Sequence, residues 1–212
     1  MTLLSERVER KSCSYKRKRS LLRMIIAGVD EAGRGSLVGP VVAAAVIMED
    51  RYLFSYKEIK DSKCLTPSQR ERAFEYICSK ATSISVGVVS HKFIDEFNIL
   101  NASLEAMKKA VCGLCIKPDL LLVDGIYKIP ISIPQKCIKK GDKINKLISA
   151  ASIVAKVYRD RIMVAYHNNY PVYNLAKNKG YPTKEHLQVL KKIGPSPIHR
   201  LSYKNVREVY AH

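Results

Sequence analysis

The chain has 212 residues, 47% of them hydrophobic, and carries 37 Lys and Arg against 19 Asp and Glu, a formal net charge of +18. That length suits one domain whose core needs no disulfide or metal to hold it, and no apolar run reaches membrane-span length. The charge predicts a polyanionic partner, nucleic acid ahead of a membrane surface, because no basic amphipathic helix with an aromatic apolar face is found; a solvated basic surface is the plain alternative.

Residues 1–23 contain ERVERKSCSYKRKRSLLR, rich in Lys, Arg and Ser and without hydrophobic periodicity. They have no apolar stretch with a small-residue cleavage site, so they do not read as a secretory signal. A flexible basic arm that attracts phosphates is expected, unless Met24 is the true start. Residues 25–29 and 41–48 are short apolar runs separated by Gly and Pro, predicting neighbouring strands. Thr66 and Pro67 open a helix as N-cap and first helical residue. Residues 83–90 predict a third strand. FIDEFNILNASLEAMKKAVCGL predicts helices broken near Asn101 and ending at Gly113. PDLLLVDG predicts a buried fourth strand ending at Asp124, and residues 133–138 a weaker fifth. The longest helix is expected over about residues 143–166, and another opens at Thr183. Together these predict a mixed sheet covered by helices.

Cys13, Cys64, Cys78, Cys112, Cys115 and Cys137 are scattered. Cys112 and Cys115 form a CxxC with no second CxxC or His pair, so structural thiols in a reducing cytosol are expected rather than a zinc or redox site.

The run IIAGVDEAGRGSLVGPVVAAAV places Asp30 and Glu31 at the end of an apolar stretch, in a protein that is otherwise basic. By themselves these two acids fit an ordinary turn. Asp124, however, also closes a strand, and sites in α/β sheets gather beyond strand ends. If the two strands are neighbours, carboxylates about 4 Å apart repel by roughly 4 kcal/mol at an effective dielectric of 20. They then need a shared proton or a bound cation. Oxygen-only ligation points to Mg²⁺ first and Mn²⁺ second, and a pair of such ions is a device for phosphodiester hydrolysis.

GVDEAGRGSLVGPVVAAAV, DSKCLTPSQRE, LLLVDG, KGDKINKLISAASIVAKVYRDRIM and KGYPTKEHLQVLKKIGPSPIHRLSY, in that order, resemble bacterial ribonuclease HII from about residue 25 to 203. The resemblance implies an α/β ribonuclease H-like fold, a five-stranded mixed sheet flanked by helices. It implies hydrolysis of the RNA strand of RNA–DNA hybrids and nicking on the 5′ side of ribonucleotides embedded in DNA, leaving 5′-phosphate and 3′-hydroxyl ends. It places the metal-binding catalytic acids on Asp30, Glu31, Asp124 and Asp142, with two Mg²⁺ or Mn²⁺ ions when substrate is bound. It gives ribose recognition to the backbone of Gly33, Arg34 and Gly35, and stacking on the following deoxyribose to Tyr181. It puts Lys63 near the scissile phosphate, although Cys64 stands where the family usually repeats a lysine. The implied organisation is a basic arm at 1–23, a catalytic domain at 24–182 and a C-terminal helical segment at 183–212, in a monomeric, cytoplasmic protein without a membrane.

The long helix offers an apolar stripe, Leu147, Ala151, Val154, Tyr158 and Ile162, for the sheet. Ser149, Ser152, Lys156 and Arg159 lie on another face, suited to a nucleic-acid backbone; Asp160 is a rival acid for the metal, but Lys156 one turn before it predicts a helix ion pair. Asp142, just ahead of that helix, is also placed to cap it. His199 and Arg200 either clamp a duplex or pack against the body. His91 and His186 are expected at the surface without a role. Ribonuclease HIII is the enzymatic alternative, expected to lack Arg34 and to carry a folded N-terminal domain. A catalytically silent hybrid-binding protein and a structural ribosome-associated protein are the alternatives from other classes.

Overall fold

The computed structural model describes residues 24–57, 59 and 64–210. The basic arm and Lys63 lie outside the described residues. Five strands, β1 (Ile26–Ala32), β2 (Val41–Ile47), β3 (Ser83–Val89), β4 (Leu120–Asp124) and β5 (Gln135–Ile138), form one sheet in the order β3-β2-β1-β4-β5. The pairs β1–β2 and β2–β3 are antiparallel, whereas β1–β4 and β4–β5 are parallel.

Helices α1 (Asp50–Ser55), α2 (Pro67–Lys80) and α3 (His91–Cys112) lie between strands, and after β5 come α4 (Gly141–Ile144), α5 (Lys146–Asn169), a 3-10 turn (Pro171–Tyr173), α6 (Leu175–Asn178), α7 (Lys184–Ile193) and α8 (Lys204–Tyr210). The start of α2 forms as the sequence dictates. Pro67 sits in the first turn, and Thr66 and Gln69 satisfy each other's backbone N–H groups as a capping box.

Every residue of β2, VVAAAVI, is buried. Ala43 and Ala45 face a core shared with α3, while Ala44 and Val46 face one shared with α5. Small side chains let both helices approach the strand closely. Gly28 does the same on β1, since a Cβ there would lie 2.3 Å from the Leu147 carbonyl oxygen at the start of α5. A third cluster, including Leu37, Val38, Met163, Leu190 and Val206, joins the C-terminal segment to the β1–β2 loop.

The structure differs from expectation at several boundaries. The strand β1 continues through Asp30 and Glu31, because the antiparallel ladder with β2 pairs them with Ala44 and Ala43. The break in α3 falls at Asn98, whose φ is 67° and whose side chain accepts from the N–H groups of Leu100 and Asn101. Asparagine tolerates that left-handed backbone and recaps the helix at once. The long helix begins at Lys146, capped by Asn145, so Asp142 is not its N-cap. On α5, Leu147, Ala151 and Val154 are buried as expected, with Tyr158 and Ile162 half-buried. The five cysteines among the described residues are free, and Cys64, Cys112 and Cys115 are exposed. No described helix is long and apolar enough to cross a membrane.

Candidate active site

The parallel ladder of β1 with β4 ends at Val29 beside Val123. The next residues on the two strands are Asp30 and Asp124, adjacent at the ends of parallel neighbours, and the pairing on which the sequence reading depended is present. By strand alternation Asp30 shares its face with Gly28 and therefore points toward α5. There the Ser152 hydroxyl bonds to it, and its Oδ1 also accepts the Glu31 N–H at 2.7 Å. Asp124 Oδ1 accepts the Gly141 N–H at 2.6 Å, which ties the end of β4 to the turn carrying Asp142. That turn is fixed in its own right by Ser149, whose hydroxyl donates to the Asp142 carbonyl at 2.5 Å. Asp142 itself is buried. Gly125, immediately after Asp124, has a φ of 98° and turns the chain away from the site.

Burial, then the Glu31 charge, then the Asp124 charge push the Asp30 carboxyl well above its ordinary range. Burial also raises Glu31; Asp124 adds to this and the Arg34 guanidinium, 3.3 Å from Glu31 Oε1, opposes it. Among the described residues Arg34 is the cation paired with these acids, and the net direction for both Asp30 and Glu31 is upward. Among the described residues no three His, Cys, Asp or Glu side chains close into a metal cage. The donor chemistry still fits a hard divalent cation: the carboxylates of Asp30, Glu31 and Asp124, with Asp142 alongside, offer oxygen only.

The loop after β1 is shaped from behind by two fully buried arginines. Arg159 donates to the carbonyls of Pro40 (3.1 Å), Val38 (3.1 Å) and Lys179 (3.0 Å). Arg200 donates to Gly39 (3.0 Å), Pro40 (3.1 Å) and Arg34 (3.0 Å). Tyr203 adds its hydroxyl to the Arg34 carbonyl at 2.5 Å. Burial lowers the Arg159 pKa to about 10, which still leaves it cationic at neutral pH.

The two glycines of the loop have different reasons to be there. Gly33 has a φ of +98° and a Cβ on it would stand 2.0 Å from Arg159 Nε, so the internal packing demands glycine. Gly35 is exposed, has no positive φ, and a Cβ on it would meet only Tyr181 Cε1 at an ordinary 3.9 Å. The half-buried Tyr181 ring also lies 5.6 Å from Lys156 Nζ and from the Arg159 guanidinium.

Several sequence expectations are corrected here. Arg159 is 0% exposed and braces the loop instead of facing a nucleic-acid backbone. Ser152 lies beneath Asp30, and Ser149 bonds to the Asp142 turn, so neither is a free surface hydroxyl. Arg200 and His199 pack against the body, which decides between the two roles left open for them. His186 is fully buried, not superficial. Lys156 and Asp160 do form the helix ion pair, at 2.7 Å. Sequence reasoning missed Tyr203 altogether, and nothing around it marked it out. The burial of His186 did have a signal, since it falls one turn before Leu190 on the inward face of α7.

The ribonuclease HII family model matches residues 27–206. The chain is 53% identical over 183 residues to ribonuclease HII of Geotalea daltonii, covering 86% of this chain and 84% of that protein. It is 56% identical over 178 residues to ribonuclease HII of Caldanaerobacter subterraneus subsp. tengcongensis, covering 84% and 73% respectively. The chain belongs to the ribonuclease HII family. Its structure also superposes on the crystal structure of ribonuclease H2 from Pyrococcus horikoshii with a TM-score of 0.73 at 30% identity, covering 89% of this chain and 98% of that one. In this family member the Gly-Arg-Gly loop is thus held by the protein's own C-terminal segment.

Proposed function

We propose that this ribonuclease HII is an endoribonuclease that hydrolyses the RNA strand of RNA–DNA hybrids and nicks duplex DNA on the 5′ side of embedded ribonucleotides. The products carry 5′-phosphate and 3′-hydroxyl ends. The observation that carries this reading is the juxtaposition of Asp30 and Asp124 just beyond the last paired residues of the parallel β1–β4 ladder, with Asp30 buried and its carboxyl raised by burial and by the neighbouring acids. Asp30, Glu31, Asp124 and Asp142 are the residues that would hold two Mg²⁺ or Mn²⁺ ions with substrate present. Such ions supply an activated water and charge stabilisation at the leaving oxygen.

The remaining groups recognise and position. Arg34 and Gly35 are exposed, and the Arg34 carbonyl is engaged by Arg200 and Tyr203. With that carbonyl held inward, the outer edge of the loop is free to meet a 2′-hydroxyl, the group that distinguishes RNA from DNA. The absence of a Cβ at Gly35, which no internal packing requires, suits the close approach of a sugar. Tyr181, beside Gly35, stacks on the deoxyribose after the ribonucleotide. Lys156 lies next to that ring and offers a phosphate contact, and Lys63 contributes a second near the scissile bond. The net charge of +18 draws the polyanion toward a site whose own acids repel it. The cellular role is ribonucleotide excision and RNA primer removal, by a cytoplasmic monomer.

The deciding experiment maps cleavage on a duplex carrying one ribonucleotide, with Mg²⁺ and Mn²⁺ compared. A single nick 5′ of the ribonucleotide, dependent on the divalent ion, is expected. Saturable binding of the duplex without cleavage in either ion would replace the nuclease with a silent hybrid-binding protein.

A further inference from the structure

Two imidazoles that the proposed chemistry does not use lie directly behind Tyr181. His186 and His199 are 0% and 1% exposed, and their Nε2 atoms are 3.3 Å apart. We propose that they are positioning residues for Tyr181: bonded to each other, they hold its carbonyl and so keep its ring beside the Gly-Arg-Gly loop, an inference that rests on the junction-reading role given to Tyr181 above.

The hydrogen bonds fix both tautomers. The Ser196 backbone N–H, which can only donate, meets His199 Nδ1 at 2.9 Å, and the Ser196 hydroxyl lies 2.8 Å from the same atom. His199 Nδ1 therefore carries a lone pair, and its proton is on Nε2. That proton is donated to His186 Nε2, which must be bare, so the His186 proton is on Nδ1. From Nδ1 it is donated to the Tyr181 carbonyl at 3.0 Å. The chain of donors runs one way, from Ser196 through both rings to Tyr181. A proton added to either ring would set two donors against each other, and burial accordingly lowers the pKa of both. The Tyr173 ring, 4.8 Å from that of His199, packs against the pair.

Tyr181 needs such a hold because it lies in a short irregular link. Lys179 and Gly180 both have positive φ, at 52° and 80°, and α7 starts only at Lys184. The Tyr181 N–H is tied to the Asn178 carbonyl at 3.0 Å, and its own carbonyl accepts from Thr183 at 2.8 Å as well as from His186. Through His199, the His186 bond links this peptide to the stretch of the C-terminal segment that supplies Arg200 and Tyr203 to the loop. The C-terminal segment thus supports both groups that flank the ribonucleotide, alongside the ties from Arg159 to the Lys179 carbonyl and from the Leu37 N–H to the Gly180 carbonyl.

The test compares initial rates of the full chain on a duplex with one embedded ribonucleotide and on a continuous RNA–DNA hybrid, taken as a ratio. Tyr181→Ala sets the floor for that ratio. His186→Leu should lower it about fivefold, the rate equivalent of one net hydrogen bond. His186→Asn, whose amide nitrogen reaches the Nδ1 position, should hold the ratio within about twofold of wild type. In the Tyr181→Ala background, His186→Leu should change nothing further. If His186→Leu does not fold, His199→Asn serves: it keeps an acceptor for Ser196, removes the Nε2 donor and should lower the ratio. Equal losses for His186→Leu and His186→Asn, or a loss that adds to that of Tyr181→Ala, would overturn the inference. A low ratio for Tyr181→Ala with wild-type ratios for the His variants would sink this inference alone. An unchanged ratio for Tyr181→Ala would instead remove the reading of Tyr181 on which it stands.

Discussion

Replacing Arg159 with Met separates a brace from a phosphate contact. Met preserves most of the apolar stem in the core and removes three hydrogen bonds from a charged donor, to Pro40, Val38 and Lys179. Bonds to charged groups contribute roughly 1.5–3 kcal/mol each, an upper sum well above any real loss. Two effects reduce it. Pro40 keeps Arg200 as a second donor, and the single proton of the Ser36 hydroxyl is shared between Val38 and Lys179. The buried guanidinium also no longer has to be stripped of water, a cost expressed in its lowered pKa. The expected net loss is about 2–4 kcal/mol, read from the urea midpoint at unchanged slope and from a fall in Tm of roughly 5–15 °C. Cleavage should fall with it as the loop loosens, while the salt dependence of duplex binding stays as in wild type. Stability within about 0.5 kcal/mol of wild type, together with a salt slope reduced by about one, would mean that Arg159 meets a phosphate after all and that its buried position is misread.

Asp124→Asn should abolish cleavage while leaving hybrid binding intact or tighter, since the Asn carbonyl can still accept the Gly141 N–H and one repulsive charge is gone. Parallel activity and gel-shift assays check this, and wild-type turnover would rule out the metal assignment. Gly33→Ala should lose both stability and cleavage, because its Cβ would overlap Arg159 at a φ of +98°. Gly35→Ala should melt within about 0.5 kcal/mol of wild type yet cleave embedded ribonucleotides poorly, and a full loss of fold would remove the sugar-approach reading. Acid should destabilise the protein through His199, whose pKa burial lowers to about 4 from an unfolded value near 6.5. Below pH 6.5 the unfolded chain takes up a proton that the folded chain refuses, so stability is lost as pH falls from about 6.5 toward 4, by about 3 kcal/mol in total. His186, lowered in the same direction, adds to the slope, and Glu185 and His91 are the other titratable neighbours that enter. Urea titrations between pH 7 and 4.5 on wild type and His199→Asn measure the difference, and equal slopes would refute it.

The features legible in the sequence were those that neighbouring residues decide. Thr66–Pro67 announces a helix, VVAAAVI a strand, and Gly113 a helix end, because capping and apolar patterning act within a few residues. The acids drew notice for a local reason too, negative charge at the edge of an apolar run. What the residues alone left conditional was that β1 and β4 are neighbours. Strands separated by about ninety positions carry no pairing signal of their own, and the resemblance supplied that step. Arg159 was misread for a related reason. Helical periodicity assigns a polar residue to an outer face, and that holds only for a helix with an outer face. The first half of α5 is covered by the sheet and by α2, and its far end by the loop from Gly33 to Pro40. A buried guanidinium is tolerable there only because three carbonyls from two distant parts of the chain, Val38 and Pro40 in one and Lys179 in the other, converge on it. Such convergence leaves no mark on the residues flanking Arg159. The same holds for His186, which is polar in the sequence yet satisfied at both nitrogens by partners that only the folded chain brings together. Recognition groups on the surface can be guessed from composition and motif, whereas the buried polar groups that aim them are defined by contacts remote in sequence.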